Sequence, residues 1–347
     1  MTTEVKAHTT ACRVAVVLPA YNEERTLAGT IEAFHAALPE AEVWVIDNRS
    51  TDATAAVARD AFERLGCAGG IIGEPRQGKG NAVRRAFLAV DADVYVLADA
   101  DLTYPAWQAR LLMSPVLDGT ADMAVGDRHS AGNYAAENKR ALNGLGNRLV
   151  RSLVNLLFRS QLKDIMSGYR VLSRQFVKNY PILVEGFEIE TDMTLHALDK
   201  RFRIVEMPVE YKDRPAGSVS KLNTLRDGFR VLATIFNILR YYRPFLFFGG
   251  MGLLLAVLGL FAGIPVLEEW MRTRYINRIP LAILASGLEI ISIILIAIGL
   301  ILDSIKFQNR QDYERTLLGD GAAIGRGWSA AVGAEPASQS HHSSRPA

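Results

Sequence analysis

The amino-acid sequence predicts an α/β protein with a doubly wound, mostly parallel sheet, followed by interfacial helices and a two-helix transmembrane hairpin. Up to about residue 242, short apolar runs alternate with segments of helical periodicity. A basic amphipathic segment closes this part, and two long apolar runs follow it. Because strand and helix alternate, the economical packing is a parallel sheet covered by helices.

The first predicted elements are two strands joined by a helix. The run Val14–Leu18 is continuously apolar, as expected of a strand that is buried on both faces. The next segment carries apolar residues at helical spacing, namely Leu27, Ile31, Phe34 and Leu38. A second strand, Val43–Ile46, then ends at Asp47. These elements begin the alternation of strand and helix.

The alternation continues through the next forty residues. Ser50-Thr51-Asp52 offers N-cap chemistry to a helix that ends at Gly66. Ile71–Ile72 is predicted as a short strand, and Gly78-Lys79-Gly80 as a glycine turn. The helix after this turn has a buried stripe at Ala82, Val83, Ala86, Phe87 and Val90.

The predicted strand Asp93–Ala98 is followed by two carboxylates one residue apart, Asp99 and Asp101. The pleat places both on the same side of the backbone, so the pair can share one hard cation. Mg²⁺ or Mn²⁺ carrying a substrate's phosphates fits, because magnesium prefers one or two carboxylates plus phosphate oxygens. The alternative is a polar turn that closes a strand. A helix from near Pro105 and a strand at Met123–Gly126 complete the series.

Polar residues directly follow several of these strands, namely Tyr21, Asp47, Asp99, Asp101, Asp127 and Arg128. Ligands of doubly wound sheets bind outside the carboxyl ends of the strands, so we expect these residues to line one edge. Asp47 would accept hydrogen bonds from a nucleobase or ribose, or else cap a turn. Lys79 between two glycines would approach an anion such as the nucleotide's phosphates, or else lie in an ordinary loop.

Motifs and charge exclude several classes of protein. The chain has no Gly-x-x-x-x-Gly-Lys-Ser/Thr motif, and no Gly-x-Gly-x-x-Gly follows the first strand, so nucleotide-sugar chemistry fits better than hydride transfer. The 39 basic and 37 acidic residues are interspersed and give a net charge of +2, which argues against a nucleic-acid-binding protein. The oligomeric state stays open, with a homo-oligomer among the alternatives.

Residues 137–160 have a helical and basic pattern. Beside a membrane segment, the cations Arg128, Lys139 and Arg140 would hold a phosphate whose tail lies in lipid. The alternative is a solvated face of an amphipathic helix. Residues 223–243 also alternate arginines with apolar residues, which is typical of a helix that lies in the membrane interface.

The apolar runs 245–267 and 281–302 contain 23 and 22 residues. Each is long enough to cross a hydrocarbon core of ~30 Å at about 1.5 Å per residue. Glu289 is the only acidic residue within them. It would face the partner helix or the path of a lipid substrate.

Basic residues near the spans predict the orientation of the hairpin. Seven flank it, at Arg226, Arg230, Arg240, Arg243, Lys306, Arg310 and Arg315, and three lie in its connector, at Arg272, Arg274 and Arg278. Both flanks are therefore expected in the cytoplasm, which gives a multi-pass protein of the cell membrane with both termini inside. The polar tail 1–12 lacks the pattern of a signal peptide. The end of the cytoplasmic tail 305–347, from about residue 319, is expected to be disordered.

Five motifs occur in an order that resembles the family 2 glycosyltransferases of the polyprenyl-phosphate type. They are Pro19-Ala20-Tyr21-Asn22-Glu23-Glu24, Asp47-Asn48-Arg49-Ser50-Thr51-Asp52, Asp99-Ala100-Asp101, Asp164 to Arg170, and Ser220-Lys221-Leu222. Over roughly residues 13–243 the chain is similar to dolichyl-phosphate mannose synthases and bacterial undecaprenyl-phosphate glycosyltransferases. The resemblance implies a GT-A catalytic domain at 13–222, an interfacial helix at 223–243 and a membrane segment at 244–304.

The resemblance also implies roles for single residues. The residues that would contact the nucleoside are Pro19, Tyr21, Glu23 and Asp47. The residues that would bind the metal are Asp99 and Asp101, with Asp99 also near the nucleotide. The residues that fall where relatives bind the lipid phosphate are Arg128, Arg140 and Asn143, and Lys221 would also approach phosphates. Many relatives carry Gln two residues after the second Asp, where this sequence has Thr103.

The expected reaction is a metal-dependent, inverting transfer of a hexose to a polyprenyl monophosphate at the cytoplasmic membrane face. The donors left open are UDP-glucose, UDP-N-acetylglucosamine and GDP-mannose. Asp164 is the usual candidate for a general base, but orienting the basic residues suits it better, because a phosphate monoester is largely dianionic at neutral pH. The alternatives are transfer to a diacylglycerol- or ceramide-like alcohol, and a catalytically silent membrane scaffold.

Overall fold

The computed structural model describes residues 12–130, 141–186, 188–211 and 234–332 of the chain. The elements of the first part are β1 (Val14–Ala20), α1 (Leu27–Ala37), β2 (Glu42–Asp47), α2 (Thr54–Leu65), β3 (Gly69–Gly73), α3 (Lys79–Ala89) and β4 (Val94–Leu97). After a 3₁₀ turn at Ala106–Gln108 come α4 (Ala109–Leu117), β5 (Met123–Asp127), α5 (Ala141–Phe158), β6 (Arg170–Ser173), α6 (Arg174–Asn179), α7 (Ile189–Asp199) and β7 (Ile204–Pro208). The last described elements are α8 (residues 234–242), a π-helical turn at Phe245–Gly249, α9 (Gly250–Thr273) and α10 (Ile279–Val332).

Within the described residues the strands form one seven-stranded sheet in the order β3-β2-β1-β4-β6-β5-β7. Strands β1 to β4 are parallel, β6 runs antiparallel to both of its neighbours, and β7 is parallel to β5. The predicted doubly wound, mostly parallel sheet is confirmed, and each of the five predicted strands lies within two residues of its expected ends. The carboxyl ends of β1, β2, β4 and β5 therefore meet at one edge.

The continuous apolar character of β1 reflects burial on both faces of the sheet. Val14, Val16 and Leu18 belong to one hydrophobic cluster, and the intervening Ala15 and Val17 belong to another on the opposite face. Successive side chains of a strand point to opposite faces, so a strand between two helical layers has no polar side. The core thus fixes the register of the central strands.

The prediction of a glycine turn at Gly78-Lys79-Gly80 is wrong, because Lys79 and Gly80 are the first residues of α3. Gly78 precedes the helix with a φ of 132°, a conformation that disfavours residues with a Cβ. Its amide donates to Oδ1 of Asn48 at 2.7 Å, and the amide of Gly80 donates to the carbonyl of Glu185 at 2.9 Å. The two glycines therefore allow the start of α3 to lie close to Asn48 and to the backbone of Glu185.

Among the described residues, two helices are long and apolar enough to cross a membrane, Phe245–Thr273 and Ile279–Leu317. These two helices pack closely against one another at small residues. A Cβ added to Gly252 would lie 2.9 Å from the carbonyl oxygen of Ser292 on the other helix. A Cβ added to Gly259 would lie 2.8 Å from Oε1 of Glu289. Glu289 therefore faces the partner helix, which is the first of the two expected placements.

Helix α10 continues beyond the predicted end of its span and packs on the α/β part of the chain. Nζ of Lys306 lies 3.0 Å from Oδ1 of Asp199 and donates to the carbonyl of Tyr242 at 2.5 Å. The ring of Tyr313 lies 5.7 Å from that of His196. Helix α10 extends to Val332. Residues 333–347 lie outside the described residues.

We predict that Gly80→Ala lowers the free energy of unfolding by roughly 1–3 kcal/mol. A methyl group at this position would overlap the backbone carbonyl oxygen of Val184. Thermal unfolding of the purified full chain, followed by intrinsic fluorescence, measures the effect. Gly73→Ala is the control, because among the described residues no atom lies within 4 Å of the added carbon. Equal melting temperatures for the two variants would contradict the packing of α3.

Candidate active site

The loops that follow β1 and β2 are bonded to one another at the expected edge of the sheet. The amide of Asn22 donates to Oγ of Ser50 at 3.1 Å, and the amide of Thr51 donates to Oδ1 of Asn22 at 2.8 Å. Asp47, at the end of β2, accepts from the amide of Ser50 at 3.1 Å. These bonds make the two strand ends one wall of the site.

The four residues predicted to contact the nucleoside lie on this wall. In the register of the sheet, Pro19 stands opposite Ile46, and Ala20 stands opposite Asp47. Tyr21 follows with 44% of its surface exposed, and Oε2 of Glu23 accepts from Oγ1 of Thr26 at 2.9 Å. The wall therefore offers an exposed aromatic ring and a half-buried carboxylate to a ligand.

Lys79 is a buried cation held between two carboxylates. Its ammonium forms an ion pair with Asp99 and lies 2.5 Å from Oε1 of Glu190. Burial alone would lower the pKa of Lys79, but the charges of Asp99 and Glu190 outweigh burial and raise that pKa above its ordinary value. Lys79 thus stays charged, and it joins the start of α3 to the end of β4 and the start of α7.

Asp101 lies two residues beyond Asp99 and is buried. Its Oδ1 accepts from Oγ1 of Thr103 at 2.6 Å and from the amide of Thr103 at 3.2 Å. Between them, Leu102 has a φ of 62°, a strained conformation for a side chain of this size. Thr103 thus orients the carboxylate of Asp101.

The donor set of Asp99 and Asp101 fits a hard divalent cation, because carboxylate oxygens are the ligands that Mg²⁺ and Mn²⁺ prefer. Among the described residues, no group of three or more carboxylate, imidazole or thiol side chains is arranged to hold a metal. A cation at this pair would therefore take its remaining ligands from substrate phosphates and water.

Arg128 and Asp164 form a buried ion pair just after β5. Nε of Arg128 donates to Oδ2 of Asp164 at 2.7 Å, and Nη2 donates to Oδ1 at 2.9 Å. Burial alone would raise the pKa of Asp164, but the hydrogen bonds and the charge of Arg128 outweigh it and hold that pKa below its ordinary value. A carboxylate with a lowered pKa is a weak base, so the geometry favours the orienting role.

Tyr104 connects the acid pair with this ion pair. Its hydroxyl accepts from the amide of Gly168 at 3.0 Å, and a Cβ on Gly168 would lie 3.0 Å from Oδ2 of Asp99. Burial raises the pKa of Tyr104, Asp99 adds to that effect, and the charges of Arg128 and Lys79 oppose it. Asp99 follows β4 and Arg128 follows β5, and the carboxyl ends of these two strands meet at one edge of the sheet, so both residues lie at that edge.

The polar segment Asp164–Arg170 is not helical, and most of it is buried. The fully buried guanidinium of Arg170 donates to the carbonyls of Ser167 and Ile165 at 2.8 and 2.9 Å. The carboxylate of Glu206 accepts from the amide of Asp164 at 2.8 Å. Charged side chains from β6 and β7 therefore hold the loop that carries Asp164.

Three of the predicted phosphate-binding residues, Lys139, Arg140 and Lys221, lie outside the described residues. Asn143 lies in the first turn of α5. The sequence analysis did not identify Glu190, Tyr104 and Gly168 as residues of the site. The one signal for Glu190 was an acidic residue at the start of a helix, which usually only complements the helix dipole.

The chain is similar to several known proteins. The family model described as Glycosyl transferase family 2 matches residues 15–180. The chain is 43% identical over 140 residues to protein SF2094/S2216 of Shigella flexneri, covering 40% of this chain and 86% of that protein. It is 29% identical over 303 residues to glycosyltransferase AglJ of Haloferax volcanii, covering 87% of this chain and 96% of that protein.

A dolichyl-phosphate hexose transferase of Haloferax volcanii is 29% identical over 226 residues, covering 65% of this chain and 93% of that protein. Among solved structures, glucosyl-3-phosphoglycerate synthase of Mycobacterium tuberculosis, in complex with Mn²⁺ and UDP-glucose, superposes with a TM-score of 0.50 at 20% identity. That likeness covers 65% of this chain and 79% of the other, and it shows the GT-A fold. The chain therefore belongs to glycosyl transferase family 2 and is a glycosyltransferase.

Proposed function

We propose that this glycosyltransferase moves a hexose from a nucleotide diphosphate sugar to a polyprenyl monophosphate at the membrane surface. The observation that carries the proposal is the position of the acid pair and Arg128 at one sheet edge, in a chain that also has two helices able to cross a membrane. The likeness to a dolichyl-phosphate hexose transferase supports the same acceptor class. UDP-glucose, UDP-N-acetylglucosamine and GDP-mannose are the donors to test.

On the donor side, the wall formed by the ends of β1 and β2 suits a nucleoside. Tyr21 offers a ring face, and Asp47 and Glu23 offer acceptors for hydroxyl or base hydrogens. Lys79 brings a permanent positive charge to the diphosphate end. Asp99 and Asp101 would hold Mg²⁺ or Mn²⁺, which supplies Lewis-acid and positioning chemistry for the departing diphosphate.

On the acceptor side, the task is to bring a second anion close to the first without repulsion. A phosphate monoester has its second pKa near ~6, so it is largely dianionic at neutral pH and already a nucleophile. Arg128 would hold this phosphate, and Asp164 would fix the plane of the guanidinium. Attack in line with the departing diphosphate inverts the anomeric carbon.

Proton transfer is not the difficult step for a phosphate acceptor. For an alcohol acceptor such as a diacylglycerol or a ceramide-like lipid, a general base would be required, and its pKa should lie near the working pH. The pKa of Asp164 is held below its ordinary value. The ion pair therefore favours the polyprenyl phosphate over the alcohol.

The membrane part supports the placement of the reaction. A hairpin of two spans returns the chain to the side from which it started, so the catalytic domain and the end of α10 share one face. Basic residues flank this hairpin in excess over its connector. By the positive-inside rule that face is the cytoplasmic one.

We predict that Asp101→Ala abolishes transfer, with a loss of at least about 10²–10³-fold, because the variant lacks half of the proposed metal site. Membranes that contain the variant are incubated with radiolabelled UDP- and GDP-sugars and undecaprenyl phosphate, and a labelled, mild-acid-labile lipid is measured. Asp60→Ala, an exposed carboxylate on α2, is the matched control and should keep full activity. Full turnover by Asp101→Ala in a folded protein would refute the metal assignment.

We predict that Asp164→Asn keeps measurable transfer but loses about tenfold in kcat/KM for the lipid, because the guanidinium of Arg128 loses its charged partner. The pH profile tests the role of the carboxylate. The contribution of a group with a lowered pKa is present at neutral pH and is lost only as the pH falls through that low pKa. An acidic limb near ~6, set by the acceptor phosphate, should therefore remain in the variant.

The opposite result would identify a different reaction. Complete loss of turnover at every pH, with unchanged nucleotide binding, would make Asp164 the general base. An alcohol acceptor would then be favoured.

A further inference from the structure

An open groove of about 760 Å³ lies between α10 and the catalytic domain, away from the candidate active site. One wall is the segment Lys200–Arg203 between α7 and β7, and the other is the part of α10 from Phe307 to Leu317. Asp122, which directly precedes β5, also lines it. Arg128 follows the opposite end of β5, about 20 Å from Asp122 at ~3.3 Å per residue. The groove is therefore a separate site, called here the basic groove.

The basic groove has an excess of positive charge. Its cations are Lys200, Arg201, Arg203, Arg310 and Arg315, and its two carboxylates are Asp122 and Glu314. Asp122 is already neutralised, because Arg203 donates to it at 2.9 and 3.0 Å. In the described parts of the chain, no carboxylate oxygen lies within 4.0 Å of a side-chain nitrogen of Arg201 or Arg310. Guanidinium groups without a carboxylate partner are suited to bind phosphate.

The position of the groove along α10 places it next to the membrane surface. The apolar run of the second span ends at Leu302, and Arg310 lies eight residues later, about 12 Å along the helix axis at 1.5 Å per residue. Side chains of a helix lean toward its N-terminus, which for α10 is the membrane end. A headgroup layer of roughly 5–8 Å per leaflet is therefore within reach of the guanidinium.

The groove has an exposed aromatic side chain on its α10 wall. Phe307, which lines the groove, is 63% exposed. An aromatic ring beside arginines at this depth is typical of residues that contact both acyl chains and headgroups. A soluble phosphate compound would leave this side chain in water, whereas a lipid would cover it.

We propose that the basic groove binds the phosphate of an anionic phospholipid from the leaflet on which the catalytic domain lies. Arg201 and Arg310 are the residues that contact the phosphate. A lipid in this position contacts both walls, and so it reinforces the Lys306–Asp199 ion pair that joins α10 to the end of α7. This binding does not depend on the identity of the donor or acceptor in the transfer reaction.

The test measures lipid binding to the purified full chain in phosphatidylcholine nanodiscs, with dioctanoyl phosphatidylglycerol as the probe and dioctanoyl phosphatidylcholine as its neutral counterpart. Wild type should bind the anionic probe and not the neutral one. Arg201→Gln with Arg310→Gln should weaken binding of the anionic probe at least about tenfold, since two charge-assisted contacts are lost. Glu314→Gln should strengthen binding, because it removes a negative charge from the groove wall.

The matched control is Arg272→Gln with Arg278→Gln in the connector, which removes the same charge near the other face of the membrane and should leave the affinity unchanged. Arg201→Lys with Arg310→Lys should restore most of the affinity, which covers the case in which the glutamine variant does not fold. Wild-type affinity in the folded glutamine variant would overturn the proposal, as would an equal loss in the control. Displacement of the probe by the same concentration of inorganic phosphate or glycerol phosphate would show a site for a soluble anion and would overturn the lipid source.

Discussion

The candidate active site depends on one buried cation, the ammonium of Lys79 between Asp99 and Glu190. Moving an ammonium group out of water costs several kcal/mol, so Lys79 can stay buried only while both carboxylates remain in contact. The three residues come from α3, the end of β4 and the start of α7. The need to pair one charge therefore fixes the relative positions of three segments that are distant in sequence.

The charges of this cluster also explain what the site can bind. Lys79 contributes one positive charge, and Asp99, Glu190 and the buried Asp101 contribute three negative charges, which leaves a formal charge of −2. A net charge in a partly dry site is unfavourable unless a counter-ion joins it. A divalent cation matches this deficit, whereas the Arg128–Asp164 pair is neutral as it stands. An acceptor dianion would thus need further cations, which is the role that the sequence predicts for Lys139, Arg140 and Lys221.

The sequence was informative about the sheet and about the acids at its edge, because both follow from local patterns. An apolar run such as Val14–Leu18 and a pair such as Asp99 and Asp101 are visible in a few consecutive residues. The antiparallel strand Arg170–Ser173 and the burial of Asp164 were not visible, since they result from contacts with β4, β5 and Glu206. The prediction of a turn at Gly78-Lys79-Gly80 was wrong for a similar reason. The glycines stand at the start of a helix because the backbone of residues 184 and 185 lies against them, and the local sequence does not show this contact.

Helix α7 explains how chemistry at the sheet edge can be coupled to the position of the membrane. It begins with Glu190 in the charged cluster and ends with Asp199, which is bound by Lys306 of α10. Between these ends, Leu195 packs with Val150 of α5 and Ile238 of α8. A helix of 11 residues is a rigid spacer of about 16 Å, so the distance between the charged cluster and the base of the second span is set by the fold. A membrane-held phosphate can be placed in line with a bound donor only if that distance does not vary, because misplacement by about 1 Å can cost ~10²-fold in rate. The contacts at the two ends of α7 therefore keep this distance constant, and the reaction depends on them as it depends on the charges at the site.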